Sequence, residues 1–467
     1  MTSIRRSRGF FAAAAGGAVI ALSLAACTAP PEDDGGAAVD DEGGDVAEGC
    51  EAFGDYGDLS GTTVTVYTSI TTPEDQPHID SYKEFERCTG ATIEYEGSRE
   101  FEAQLPVRLQ AGNPPDIAYI PQPGLLQTLV RDFPDAFVPV GELAESYVDQ
   151  YYDPAWKDYG SVDGTYYATP LGANVKSFVW YSPSAFADAG YEIPETWDDL
   201  IALSDQIVAD NPDGSVKPWC AGIESGEATG WPATDWLEDI MLRTAGPEVY
   251  DQWVSHEIPF NDPQVAEALA TVGEILRNPD YVNGGYGDVQ SIASTPFTDG
   301  GFPILDGTCY MHRQASFYAA NWSEYQEDVT VAEDGDVFAF YFPSMDPAER
   351  PVLGGGEFTA AFSDRPEVAA FRAFLVSPEW VNAKIPLHPA GGWVSANNEQ
   401  DLDLYASPID RLSAETLADD TAVFRFDASD LMPGEVGASS FWTEMTNWLA
   451  NNKADADVLD AIEASWP

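Results

Sequence analysis

Thr62-Thr63-Val64-Thr65-Val66-Tyr67 opens the folded part of this 467-residue chain and sets its class. Its β-branched and aromatic residues alternate as in a strand with one buried face. Folded structure is therefore expected to begin near Ser60. Pro73 to Cys88 reads as a helix, with Ile79, Tyr82 and Phe85 on one face and Gly90 at its stop. Thr92-Ile93-Glu94-Tyr95 reads as a second strand. Phe101 to Leu109 reads as a second helix, closed by Gly112 and Pro114-Pro115, and Asp116-Ile117-Ala118-Tyr119-Ile120 as a third strand. Strand, helix, strand, helix, strand at this spacing implies right-handed crossovers and a parallel sheet, hence the α/β class. Ligands of such sheets bind beyond the carboxyl ends of the strands. Those ends are Thr68-Ser69-Ile70 and Pro121-Gln122-Pro123-Gly124.

Beyond this unit the chain is rich in well-marked helices. Ser182-Pro183 starts a short one that Gly190 stops, and Thr196-Trp197-Asp198-Asp199 has the form of a capping box. Asp262-Pro263 starts a long amphipathic helix through Val265, Leu269, Val272 and Leu276. Val337 to Phe342 and Glu357 to Phe362 read as strands. Val368 to Val376 reads as helical, and Ser377-Pro378 begins a further helix. The length exceeds one compact core and calls for two large lobes.

The N-terminal end carries export chemistry. Arg5, Arg6 and Arg8 precede an uncharged run from Gly9 to Ala26, and Leu24-Ala25-Ala26-Cys27 closes it. A basic start, a short apolar segment and small residues before a cut make a secretory signal over 1–26. The Cys after Leu-Ala-Ala resembles the bacterial lipobox, which implies that Cys27 becomes the mature N-terminus and carries a lipid. Residues 28–58 hold eleven acidic side chains and no Lys or Arg. Such a stretch buries no core, so 27–58 is expected to be an acidic flexible tether.

Acidic residues number 79 against 21 basic ones, for a formal net charge of −58. That surface repels phosphate backbones and excludes nucleic acid as a partner. It also repels anionic lipid, so membrane attachment must come from the lipid anchor. Beyond Cys27 the cysteines are Cys50, Cys88, Cys220 and Cys309. An even number in an exported chain points to two disulfides, and four Cys permit three connectivities. Cys50–Cys88 with Cys220–Cys309 keeps each bridge inside one expected lobe. No C-x-x-C spacing suggests zinc or redox chemistry.

The usual enzyme signatures do not occur. His78, His256, His312 and His388 share no metal-ligand spacing, and no nucleophile elbow or phosphate-cradling loop is present. A glycosidase would need two carboxylates across a bond, and 79 acids single out no pair. Asp334-Gly335-Asp336 lacks the rest of a calcium loop and reads as a turn. No metal and no cofactor is expected.

Aromatics carry more information. Of the 13 Trp, Trp231, Trp393 and Trp442 sit beside Gly, Pro or small polar residues rather than in apolar runs. Such rings suit the flat C–H faces of sugars, whose hydroxyls need amide and carboxylate partners. Gln122, Asn174, Glu227 and Asp235 are candidates for those partners. Arg313, a rare cation, reads either as half of a buried ion pair or as a ligand contact.

In order and spacing, several segments resemble the extracellular solute-binding lipoproteins of carbohydrate ABC importers. They are Phe85-Glu86 with Thr89-Gly90, Gly112 to Ala118, Asp163-Gly164 through Pro170, and Thr196 to Leu200. Asp430 to Pro433 and Ser440-Phe441-Trp442 look like the maltose-binding type. Ser225 to Trp236 and His312 to Phe317 look closest to the α-glucoside-binding subgroup. The resemblance implies a two-lobed periplasmic-binding-protein-like fold with discontinuous lobes joined by hinge crossings near Gly172–Val175 and Gly354–Glu357. Lobe 1 would comprise 59–173 and 357–415, and lobe 2 would comprise 174–356 and 416–467. It implies that Trp442 matches a sugar-stacking position. Ile120-Pro121-Gln122-Pro123-Gly124 replaces the aromatic and charged pair of maltose binders, and a stacking Trp near Ala315 is missing. These departures favour a smaller or differently linked glucoside.

The expected function is therefore a non-enzymatic, monomeric carbohydrate receptor. It would be lipid-anchored at the extracellular face of the cytoplasmic membrane and would deliver sugar to ABC permease subunits. Rival readings are the same fold binding a non-sugar solute, such as a polyamine or metal chelate, or an exported glycosidase.

Overall fold

The computed structural model describes residues 48–285, 287–419 and 421–467. The expected signal segment 1–26, the expected lipidation site Cys27 and most of the expected tether lie outside the described residues. Among those described, no helix is long and apolar enough to cross a membrane.

Two sheets organise the molecule. The first runs Val423–Phe426, Pro351–Ala361, Ile117–Ile120, Thr63–Thr68, Thr92–Gly97, with Ala168–Val175 also paired to Pro351–Ala361. Thr63–Thr68 pairs in parallel with both Thr92–Gly97 and Ile117–Ile120, as the strand–helix–strand spacing requires. Pro351–Ala361 then runs antiparallel to Ile117–Ile120, so the sheet is mixed rather than purely parallel. The second sheet runs Phe338–Tyr341, Phe178–Tyr181, Cys309–Arg313, Lys217–Cys220, Val282–Asn283. Each sheet is covered by helices over its own core. Phe85, Leu105, Phe371 and Trp380 lie in one core, and Trp219, Trp236, Trp253 and Trp448 in the other.

The crossing between the two sheets is a strand pair. Gly354, Gly355 and Gly356 pair antiparallel with Val175, Asn174 and Ala173, and the register shifts between Glu357 and Phe358. The same strand pairs Pro351–Gly354 in parallel with Val423–Phe426. Val423–Phe426 thus joins the edge of the first sheet, although residues 416–467 were assigned to the second lobe from sequence.

Most local expectations hold, with two corrections. The helix expected from Pro73 to Cys88 is two helices, Asp75–Ser81 and Lys83–Thr89, divided at Tyr82. The fold also begins earlier than Ser60. Glu51–Tyr56 forms a 3-10 helix, and the Cys50–Cys88 disulfide ties it down. Phe53 packs 5.5 Å from the Phe374 ring and Tyr56 5.6 Å from Phe85. Two aromatics and a cross-link offset the acidic composition that suggests a free tether. The second bridge joins Cys220 and Cys309, on strands separated in sequence by 89 residues.

Candidate functional site

A cavity of about 170 Å³ opens where the carboxyl ends of the first sheet face the second lobe. On one side it is lined by Ser69, Ile70, Thr71 and Thr72, which follow Thr63–Thr68, and by Pro121 and Gln122, which follow Ile117–Ile120. The strand-end rule locates this wall correctly. On the other side stand Trp231, Phe297, Phe317 and Trp442. The Trp231 ring lies 5.1 Å from Phe297 and 5.9 Å from Phe317, neither pair flat-stacked. Asn174 and Lys176, from the crossing, and Glu357, Asp427 and Asp430 line the cavity as well.

Local backbone geometry brings the two tryptophans together. Trp231 begins the helix Trp231–Thr244, and Trp442 begins Trp442–Ala450. Between them Gly230 has φ +118°, and a Cβ there would lie 2.1 Å from the Trp442 carbonyl oxygen. Only glycine permits that approach.

Several lining side chains keep polar atoms without a hydrogen-bond partner: Trp442 Nε1, Gln122 Oε1, Asn174 Oδ1, and both polar atoms of Asn321. Buried polar groups are normally satisfied, so these five atoms form a ready set of donors and acceptors. Glu74 and Glu102 add carboxyl groups. Burial, reinforced by Glu357, pushes Glu74 up to about 8. Burial likewise raises Glu102, against a hydrogen bond received from Gln122 Nε2 at 3.3 Å.

Beneath this wall runs a buried chain of alternating charge. Lys176 Nζ donates to Asp235 Oδ1 at 2.9 Å and to Asp427 Oδ2. Asp235 also accepts from Arg313 Nη1 at 3.2 Å. Arg313 Nη2 donates to Asp239 at 2.9 Å, and Asp239 also pairs with Arg243. Glu238 accepts the Ala428 and Ser429 amides at 3.0 and 3.2 Å. Burial opposes the charge on Asp427, but Lys176 and its hydrogen bonds hold its pKa below the ordinary value. Burial also opposes the Lys176 ammonium, yet Asp235 and Asp427 keep it firmly protonated. Burial drives Asp235 up to about 7 despite Lys176. Oxygens of Asp235, Glu238 and Asp427 lie within 4.8 Å of one another, a spacing that suits a metal ion. Lys176 already supplies the countercharge to two of the three.

The candidates named from sequence fall into distinct places. Trp442, Trp231, Gln122 and Asn174 line the cavity. Trp393 lies in a small chamber beside it. Asp235 and Arg313 are fully buried in the ion chain behind the wall. Glu227 is exposed on the loop before Trp231 and does not line the cavity. Its Gly-rich context marks a turn rather than an approach to ligand.

Sequence reasoning missed Lys176, Glu74, Glu357, Asp427 and Phe317. Lys176 carried a usable signal, because it is one of six Lys in the chain and follows the crossing strand directly. Phe317 stands in the region where a stacking Trp is missing near Ala315.

Residues 75–382 match the family described as bacterial extracellular solute-binding protein. The chain belongs to the bacterial extracellular solute-binding proteins. This solute-binding protein is 40% identical over 428 residues to the osmoprotective compounds-binding protein GgtB of Synechocystis sp., spanning 90% of this chain and 96% of that one. It is 39% identical over 425 residues to the alpha-glucosides-binding periplasmic protein AglE of Rhizobium meliloti, covering 88% of each. In fold it is similar to a chitin oligosaccharide binding protein, with TM-score 0.71, 18% identity, and coverage of 86% of this chain and 97% of that one. These relatives are binding proteins, and the shared fold is the two-lobed α/β architecture described above.

Proposed function

We propose that this protein is the sugar-capturing subunit of a carbohydrate ABC importer and that its ligand is a small α-glucoside. The observation that carries this reading is the cavity itself. Aromatic faces on one side, with the unpartnered Trp442 indole and Asn321 amide among them, stand opposite the Gln122 amide and the Glu74 and Glu102 carboxyl groups, with Asn174 at the crossing between, which suits a ring with apolar faces and a hydroxyl rim. A cavity of about 170 Å³ has room for roughly a dozen water-sized groups. That fits one or two sugar rings better than a long oligosaccharide. The α-glucoside relative supports the same class.

Trp442, Trp231 and Phe317 supply stacking faces, while Gln122, Asn174, Asn321 and Glu74 take the hydroxyls. The strand pair between 172–175 and 354–357 acts as the hinge, and the lobes close on the guest. The ligand is delivered unchanged to permease subunits, and ATP is hydrolysed by a cytoplasmic partner. The chain works as a monomer, held by lipid on Cys27 after removal of residues 1–26. Replacing Cys27→Ser should release it from the membrane fraction.

A thermal-shift panel of maltose, trehalose, sucrose, methyl α-glucoside and non-glucose sugars tests the ligand class. The reading expects the largest rise in melting temperature among α-glucosides. No rise with any sugar would refute it.

One observation favours a second reading. Glu74, Glu102, Glu357, Asp427 and Asp430 outnumber Arg99 and Lys176 around the cavity. A cationic solute would match that excess, and one relative is described as binding osmoprotective compounds. Spermidine and glycine betaine therefore belong in the same panel.

A further inference from the structure

Beside the main cavity lies a chamber of about 20 Å³, and the two share Ile70, Glu74, Asn174, Phe317 and Glu357 as lining. Its far wall is His78, His388 and Trp393. Four of its lining residues carry a buried polar atom with no hydrogen-bond partner: His78 Nδ1, His388 Nε2, Trp393 Nε1 and Asn174 Oδ1. All four residues are at most 8% exposed. Each orphaned atom costs stability unless something fills it.

The chamber is a rigid construction. Asp410 accepts the amides of Gly392 at 2.8 Å and Trp393 at 3.4 Å, which fixes the backbone under the indole. Trp380 meets the ring edge-on at 5.4 Å, His388 stacks at 6.0 Å, and Lys384 Nζ lies 4.8 Å from the ring centroid. Gly172 lets the backbone approach the indole and Glu357. A Cβ there would sit 2.6 Å from Trp393 Nε1 and 3.0 Å from Glu357 Oε2.

We propose that this chamber is a terminal subsite that admits a single hydroxyl of the bound sugar and thereby selects which ring position the ligand presents. The inference rests on the α-glucoside reading. Size limits the occupant to about one water-sized group. Composition limits it further. Trp393 Nε1 can only donate, Asn174 Oδ1 can only accept, and a neutral imidazole does one at each nitrogen. Burial, together with Lys384, keeps both imidazoles neutral. Glu74 and Glu357 also line the chamber and would accept from an ammonium group, but that group would leave the indole N–H unpaired, and an anion would leave the amide oxygen unpaired and face both carboxyl groups. A hydroxyl serves both.

Calorimetric titration of the purified full chain with methyl α-D-glucopyranoside and its monodeoxy analogues tests the subsite. One analogue should bind about tenfold or more weakly than the parent, because losing that hydroxyl leaves buried partners unpaired. In Trp393→Phe the parent should weaken, and the gap to that analogue should shrink to about twofold. Gly172→Ala, whose methyl group would press on Trp393 Nε1 and Glu357 and shift the chamber wall, should do the same and serves if the Trp393 variant fails to fold. Analogues that all bind the unaltered protein as tightly as the parent would overturn the subsite alone, as would a gap that survives in both variants. Failure of every α-glucoside in the panel to bind would instead defeat the ligand-class reading and carry this inference down with it.

Discussion

The two walls of the cleft are made of different chemistry. The second-lobe wall presents rings, Trp231, Phe297, Phe317 and Trp442, set edge-to-face or tilted where they pack on one another. The first-lobe wall presents hydroxyl, amide and carboxyl groups on the loops after its strands. One wall supplies contact area with little direction, and the other supplies direction with little area. A guest satisfied by both must touch both, and that couples binding to lobe closure. Beneath the ring wall lies the alternating ion chain, whose Asp235, Arg313 and Asp239 are satisfied by one another, while Lys176 and Asp427 at its end also line the cavity.

The largest expected effect probes that ion chain. Lys176→Met leaves Asp235 and Asp427 facing each other without their ammonium, and the expected loss is about 3–5 kcal/mol of unfolding free energy. A urea melt measures it. A loss below about 1 kcal/mol would mean the chain is a ligand-facing feature rather than a structural floor. Next comes Cys50→Ser with Cys88→Ser. It should cost about 2–4 kcal/mol while leaving sugar affinity intact, since the bridge ties down the N-terminal 3-10 helix rather than the cleft. On the ring wall, Trp442→Ala should weaken the best sugar by about 2 kcal/mol, roughly thirtyfold in Kd. On the polar wall, Glu102→Gln should cost only a few-fold by the same titration. Equal losses from the two changes would erase the proposed division of labour.

The smallest effect concerns pH. The Glu74 carboxyl is raised from 4.5 to about 8 by burial and then by Glu357. Asp410 is raised from 3.8 to about 7 by burial. Between those limits the folded state holds protons that the unfolded chain has released, so stability falls as pH rises. The stabilisation is complete below about pH 4 and is lost progressively toward pH 8. Glu74→Gln should flatten the difference in melting temperature between pH 5 and pH 8 by about 1–2 °C. A pH 5 to pH 8 difference left unchanged by Glu74→Gln would show that Glu74 is ionised throughout.

The first lobe was largely legible in the sequence because its signals are local. Alternation marks Thr63–Thr68, Gly90 stops a helix, and the strand ends point to Ser69 and Gln122. The cleft was half legible. Gly or small polar context separates Trp231 and Trp442 from core tryptophans such as Trp180, Trp219, Trp253 and Trp322, because a ring beside Gly230 or after Ser439-Ser440 need not follow an apolar period. The same context overstated Glu227, which shares the loop but faces solvent. Asp235 looked like a hydroxyl partner, yet its helix is buried on all sides and demands an ion pair instead. That partner, Lys176, lies 59 residues away, and no local pattern records such a pairing. Glu74 and Glu357 were hidden for a simpler reason. Among 79 acids, composition distinguishes none.

A crystal structure with the sugar that raises the melting temperature most tests the central claim directly. The account predicts a pyranose face against Trp442, with its hydroxyls bonded to Gln122, Asn174 or Glu74 across the gap. A sugar bound to one wall only, or held away from Trp442 altogether, would contradict it.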